Sequence, residues 1–154
     1  MEYKLDRRWL AGFFDGEGTI CISYKVNSNG KAEFKRYVAI TNTKVDILNR
    51  IQNEFGGVVR QNSISKKDNN FKPCYQWRGF SKVANQFLYE IQDYLILKKE
   101  HCNLWFMFNQ TVPEMSLGNF KGGLGVDTEF VQNRMVMVNR LKQLNQRGLN
   151  AKVL

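Results

Sequence analysis

The chain has one histidine, three cysteines and no apolar run near the roughly 20 residues that a membrane helix needs. Each scarcity removes a class of function. A lone histidine, His101, excludes nuclease chemistries that draw on several imidazoles. Cys21, Cys74 and Cys102 form no CxxC pair, and with His101 they lack the ligand spacing of a zinc site. Three thiols cannot all pair within one chain, so a reducing, intracellular setting is expected, whether prokaryotic cytoplasm or organelle. Residues 1–8 carry no apolar stretch resembling a signal peptide, and no membrane partner is expected. Acids are scarce too: 14 Asp/Glu against 23 Lys/Arg leave a formal charge of +9.

What is present is a chain of 154 residues, 43% hydrophobic and 13% aromatic, enough for one domain with a real core. The positive charge is regional. Residues 19–82 hold 12 Lys/Arg against 4 Asp/Glu, a net of +8, with polar aromatics interleaved. That pattern suits a nucleic-acid face better than general solubility. A membrane surface would call for a basic amphipathic helix, whereas this region reads mostly as strands.

Periodicity predicts a helix from about Arg7 to Asp15, then a strand from Thr19 to Val26. Ile20, Ile22, Tyr24 and Val26 take one face of that strand; Thr19, Cys21, Ser23 and Lys25 take the other. Asn27-Ser28-Asn29-Gly30 turns the chain into a second strand, Phe34 to Thr41, with Val38 and Ile40 opposite Lys35, Tyr37 and Ala39. Thr43 is the expected cap of a helix from Lys44 to Phe55, stopped by Gly56-Gly57. A second hairpin follows, Val58 to Ile64 and Cys74 to Phe80, in which Tyr75 and Trp77 face either the core or outward. Ser81 is the expected cap of a helix with a Val83, Phe87, Leu88, Ile91, Leu95 stripe. The next helix, about Lys98 to Gln110, carries Leu104-Trp105-Phe106-Met107-Phe108, a run expected to be buried all round. Gly118–Gly125 reads as a connection and lacks the ending of a phosphate loop. Asp127 or Thr128 caps a last helix ending before Gly148, with Met135–Val138 read as core. The fold class is α+β: a four-stranded antiparallel sheet with helices on one face and a basic, polar face open.

Residues 10–18, Leu10-Ala11-Gly12-Phe13-Phe14-Asp15-Gly16-Glu17-Gly18, occur once. Gly12 and Gly16 are four apart, hence on one helix face, where two such helices could meet at backbone contact. Pairing of that kind would bring two Glu17 carboxylates together, where they repel unless divalent metal sits between them. Asp15 is read as a structural residue at the helix end. The nine residues resemble the signature of the LAGLIDADG homing endonucleases. The likeness continues through Ile40-Thr41-Asn42, the Leu48…Ile51…Phe55-Gly56-Gly57 helix and Tyr94-Leu95-Ile96-Leu97-Lys98-Lys99, covering about residues 8–110.

That resemblance implies one LAGLIDADG domain over 1–154, an αββαββα core at about 7–110 and a C-terminal helical extension at about 127–147. It implies a homodimer with Ala11, Gly12, Phe13 and Gly16 at the seam. Glu17 would ligate Mg²⁺, helped by the Gly16 carbonyl, with Mn²⁺ or Ca²⁺ able to substitute for binding. Lys98, with Lys99 as its competitor, would sit beside the scissile phosphate, and Asn42 would order water unless it serves as a helix-entry cap. The expected reaction is double-strand cleavage of a long, nearly palindromic DNA target; the alternative is a non-cleaving splicing maturase or regulator, with intron RNA as partner. From the polar strand face, Ser23, Lys25, Lys35, Tyr37, Arg60, Asn62, Gln76 and Arg78 are the expected DNA contacts. Lys66, Lys67 and Lys72 between the hairpin strands suit phosphates, or form a solvated charge run.

Overall fold

The computed structural model describes residues 3–62, 72–111, 124–125 and 128–146. Its elements run α1 (Arg7–Glu17), β1 (Gly18–Val26), β2 (Lys31–Asn42), α2 (Val45–Phe55), β3 (Val58–Gln61), β4 (Tyr75–Phe80), α3 (Ser81–Ile91), a 3-10 turn (Gln92–Tyr94), α4 (Lys99–Gln110), β5 (Leu124–Gly125) and α5 (Glu129–Asn145). The strands lie in the order β1-β2-β4-β3, the four expected, and the two-residue β5 pairs with β2. Among the described residues no helix is long and apolar enough to cross a membrane. The chain divides into two compact units. One holds residues 1–20 and 37–99; the other holds 21–36 and 100–154.

In the first unit β4 pairs antiparallel with both β2 and β3. Trp77 stands between Ile40 on β2 and Val59 on β3, so even positions of β2 and odd positions of β4 share the covered face. Trp77 is fully buried, which places the parity of β4 as core. The Phe87 ring of α3 lies 4.9 Å from Trp77 and 5.2 Å from both Phe14 of α1 and Phe55 of α2. Offset and edge-on aromatic contacts of this kind join all three helices to the sheet. Gly57 is obligatory beside Trp77. Its φ is +90°, and an added Cβ would strike the Arg78 carbonyl and the indole nitrogen. The indole N–H donates instead to the Gly56 carbonyl at 2.9 Å.

Arg7 ties α1 to two other helices. Its guanidinium donates to Glu90 Oε2 and Glu54 Oε1, both at 2.6 Å, and to the Leu5 carbonyl at 2.7 Å. Burial alone would raise the Glu54 carboxyl; the Leu5 N–H and Arg7 together hold it below its ordinary value of 4.5. Helix starts differ from expectation in two places. Neither Thr43 nor Ser81 caps: α2 begins after Lys44 and α3 after Phe80, each without a side-chain cap bond. Asn42 Oδ1 accepts the Lys44 N–H at 2.8 Å, and Ser81 sits at φ +42°.

In the second unit the inward residues of the β1–β2 hairpin meet α4 and α5. Phe34 contacts Phe108, and Arg134 of α5 lies over the Phe34, Phe108 and Phe130 rings at 4.3–5.1 Å. Burial, then the charge of Arg36, lowers the Arg134 pKa to about 10. Thr128 is the cap of α5 and accepts the Val131 N–H. The α4 run is not buried all round. Trp105 and Phe108 are, but Met107 is 50% exposed, because a helix on one side of a sheet covers a single stripe. In α5 likewise Val138 is buried and Val136 exposed.

Candidate active site and nucleic-acid interface

Asp6 starts α1 by accepting the Trp9 N–H at 2.9 Å, and Leu10, Ala11 and Phe14 are its buried apolar residues. The helix ends at Glu17. Its C-terminal carbonyls need partners, and a cation there also meets the negative end of the helix dipole. Lys98 fills both roles by donating from Nζ to the Asp15 carbonyl at 2.6 Å. The Asp15 side chain, 8% exposed, accepts the main-chain N–H groups of Ile96 and Lys98 at 2.8 and 2.9 Å. Asp15 is thus structural, as its sequence position suggested. Of the two candidate lysines it is Lys98 that reaches the motif; Lys99 is exposed on the first turn of α4.

Gly16 and Glu17 are exposed at the end of α1. Gly18 follows as extended chain at φ −86°, and a Cβ there would overlap the Phe14 ring. Asn42 ends β2, its side-chain oxygen engaged in the turn to α2. Among the described residues no three His, Cys, Asp or Glu side chains gather as a metal site. The end of α1 therefore offers one accessible carboxylate, flanked by glycine.

The outer face of the first unit's sheet carries Tyr37, Arg60, Gln76 and Arg78, with Asn62 just past β3. A groove of about 410 Å³ is lined by Val58, Arg60, Asn62, Gln76, Arg78 and Phe80. Gln76 Nε2 donates to Thr41 Oγ1 at 3.1 Å, its Oε1 accepts from Arg78 Nε, and the Arg78 guanidinium lies 4.8 Å over the Tyr37 ring. In the second unit Lys25 and Lys35 are exposed and Ser23 half-buried, on positions alternating with the inward residues of the hairpin. Lys72 is exposed; Lys66 and Lys67 lie outside the described residues. Val58 and Phe80 were missed by sequence reasoning, because an apolar residue at a strand end gives no signal of lining a polar groove.

A family profile described as LAGLIDADG endonuclease matches residues 10–109. The chain belongs to that family. The LAGLIDADG fold is also the one found among solved structures. The homing endonuclease I-CvuI, in complex with DNA in 2 mM Mg, superposes with a TM-score of 0.68 at 21% identity, covering 96% of this chain and 86% of its own. The archaeal intron-encoded homing endonuclease I-Vdi141I, complexed with DNA, gives 0.69 at 15% identity, covering 92% and 85%. I-SmaMI, bound to cleaved DNA, gives 0.60 at 19% identity over 96% of this chain but only 46% of its own. No sequence among the curated proteins matches this one.

On the LAGLIDADG helix, Trp9, Gly12, Phe13 and Gly16 stand at helical spacing outside the core of the chain. Trp9 is 47% exposed and stacks on Phe13 at 5.1 Å. A Cβ added at Gly12 or Gly16 would meet nothing within 4 Å. Neither glycine is therefore required by contacts within the described residues. Ala11, the other small residue expected at the seam, differs: it is fully buried within the chain.

Proposed function

We propose that this LAGLIDADG chain, acting as a single domain, is a homodimeric, divalent-metal-dependent endonuclease that cuts both strands of a long, nearly palindromic DNA target. The observation that carries this reading is the end of α1. An exposed glutamate, Glu17, follows an exposed glycine, and Lys98 is anchored two residues away. Two copies joined through the Gly12–Gly16 face would bring two such ends together. Mg²⁺ takes one or two carboxylates and keeps several waters, so Glu17, the Gly16 carbonyl and phosphate oxygens are a suitable oxygen donor set. A divalent ion held there supplies Lewis-acid polarisation of phosphate and water.

The chain's own residues do the rest. Glu17 provides the anionic ligand. Lys98 offers positive charge to a phosphate at the end of α1. Asn42, whose oxygen accepts the Lys44 N–H at the entry to α2 as the helix-entry alternative expected, would offer its amide nitrogen to active-site water. Tyr37, Arg60, Asn62, Gln76 and Arg78 of the first unit would face the major groove, which admits strands; Ser23, Lys25, Lys35, Lys66, Lys67 and Lys72 are the further DNA contacts in this reading.

The test is the full chain and its Glu17→Gln variant on a plasmid library with randomised inserts, with Mg²⁺. The expected result is double-strand cutting by the native protein and none by the variant, which still binds duplex DNA within a few-fold. Full cutting by the variant removes Glu17 from the site. Binding that depends on RNA, with no DNA cutting by the native protein, replaces this reading with a maturase.

A further inference from the structure

The outer face of β4 is arranged as a reader, its support and an apolar neighbour, not as three equivalent contacts. Gln76 has both ends of its carboxamide committed, the nitrogen to Thr41 Oγ1 and the oxygen to Arg78 Nε. A glutamine reads adenine by aligning both of those groups with one base edge. Here each already has a protein partner, so the carboxamide plane is set by Thr41 and Arg78 and only one amide hydrogen and one oxygen lone pair are left. Arg78 is the reverse case. Gln76 holds its Nε, and the Tyr37 ring supports the guanidinium plane. Its cross-strand neighbours on this face are Ala39 and Val58, and among the described residues no carboxylate pairs with it. The two terminal nitrogens are left as a pair of parallel donors, the geometry that matches guanine O6 and N7.

Phe80 stands two residues further along the same face, about 7 Å away at the rise of a β-strand, or about two base steps of 3.4 Å. It is 49% exposed, and with Val58, 38% exposed, it makes the apolar part of the groove. An exposed phenyl ring on a base-reading face has one favourable base-edge partner in the major groove, the thymine methyl.

We propose that Arg78 is the guanine reader of each half-site, that Gln76 is a positioning residue for Arg78 and not a base reader, and that Phe80 selects a thymine within about two base steps of that guanine. This rests on the DNA-binding reading above. The experiment is binding selection by the full chain from a randomised duplex pool with Ca²⁺, repeated for Arg78→Ala, Arg78→Lys, Gln76→Ala and Phe80→Ala, with circular dichroism to confirm equal folding.

The native chain should enrich one guanine per half-site. Arg78→Ala should lose about 5- to 150-fold of discrimination at that position alone, the worth of one bidentate pair. Arg78→Lys should keep affinity for random duplex but lose the guanine preference, since an ammonium is a point charge without the fork. Gln76→Ala should weaken the same guanine preference and disturb no adenine elsewhere. Replacing the selected thymine by uracil should weaken binding of the native chain and leave Phe80→Ala unaffected. An unchanged guanine profile in Arg78→Ala, or an adenine preference lost in Gln76→Ala, overturns the assignment. Failure of the native chain to bind any duplex overturns the DNA reading itself.

Discussion

Asp15 and Lys98 hold each other in both directions: the Asp15 carboxylate accepts the Lys98 N–H at 2.9 Å, and Lys98 Nζ donates to the Asp15 carbonyl at 2.6 Å. The two residues are 83 apart in sequence. The first acidic residue of the motif thus fixes Lys98 at the end of α1, while the second, Glu17, is exposed. Of two carboxylates two residues apart, one is engaged in packing the helix end and the other is open to solvent.

That division separates two variants. Lys98→Met keeps both main-chain bonds to the Asp15 carboxylate but removes the ammonium. Stability should change by less than about 1 kcal/mol, and cleavage should fall by about 10²–10³-fold, the usual cost of losing one charge-stabilising donor. Asp15→Asn should do the opposite first, costing about 1–3 kcal/mol as a buried acceptor becomes a donor facing an N–H. Urea unfolding and single-turnover cleavage together distinguish them.

Gly12→Ala and Gly16→Ala meet open space within the subunit and should each favour α1, by roughly 0.5–1 kcal/mol of helix propensity. Between two copies at backbone contact the same methyl groups would clash. Sedimentation should show the double variant shifted toward monomer, with cleavage lost and thermal stability of the subunit retained. An unshifted dimer would place the seam elsewhere.

Gly57→Ala should be among the most damaging single changes in the first unit. It combines φ +90° with a clash against the Arg78 carbonyl and the Trp77 indole. A loss of about 2 kcal/mol or more is expected, exceeding the small entropic gain of alanine where φ is compatible. Thermal unfolding with Trp fluorescence reads it directly.

The Arg7–Glu54 pair sets an acid limit. Glu54 titrates below its ordinary 4.5 in the folded chain, so its stabilisation is present above that value and lost as pH falls through the lower folded value. Arg7→Met should flatten the fall in stability below pH about 4.5, as followed by denaturant midpoints from pH 3 to 6.

Cys102 is 1% exposed, and burial pushes its thiol up to about 12. Alkylation of the native protein at pH 8 should modify the half-buried Cys21 and Cys74 first and reach Cys102 only on unfolding, as peptide mass mapping would show.

Much of this was legible along the chain, because alternation and helical spacing are local. The two hairpins and the Gly56-Gly57 stop follow from neighbours within a few residues. So does the acid–glycine end of α1. The parity of Trp77, by contrast, is settled only by the pairing of β4 with β2 and β3, and the choice of Thr128 over Asp127 as cap only once α5 is in place. Other features depended on partners distant in sequence. Lys98 and Lys99 are equivalent by composition, and only the chain's return past the end of α1 brings one of them to the Asp15 carbonyl. Gln76 and Arg78 both look like base readers in a strand; only the pairing of β4 with β2 sets Thr41 and Tyr37 beside them and commits one to supporting the other. Ala11 and Gly12 are adjacent small residues, yet one is buried within the chain and the other opens outward. Local physics determines which face a side chain takes; what it meets there is decided when distant segments pack.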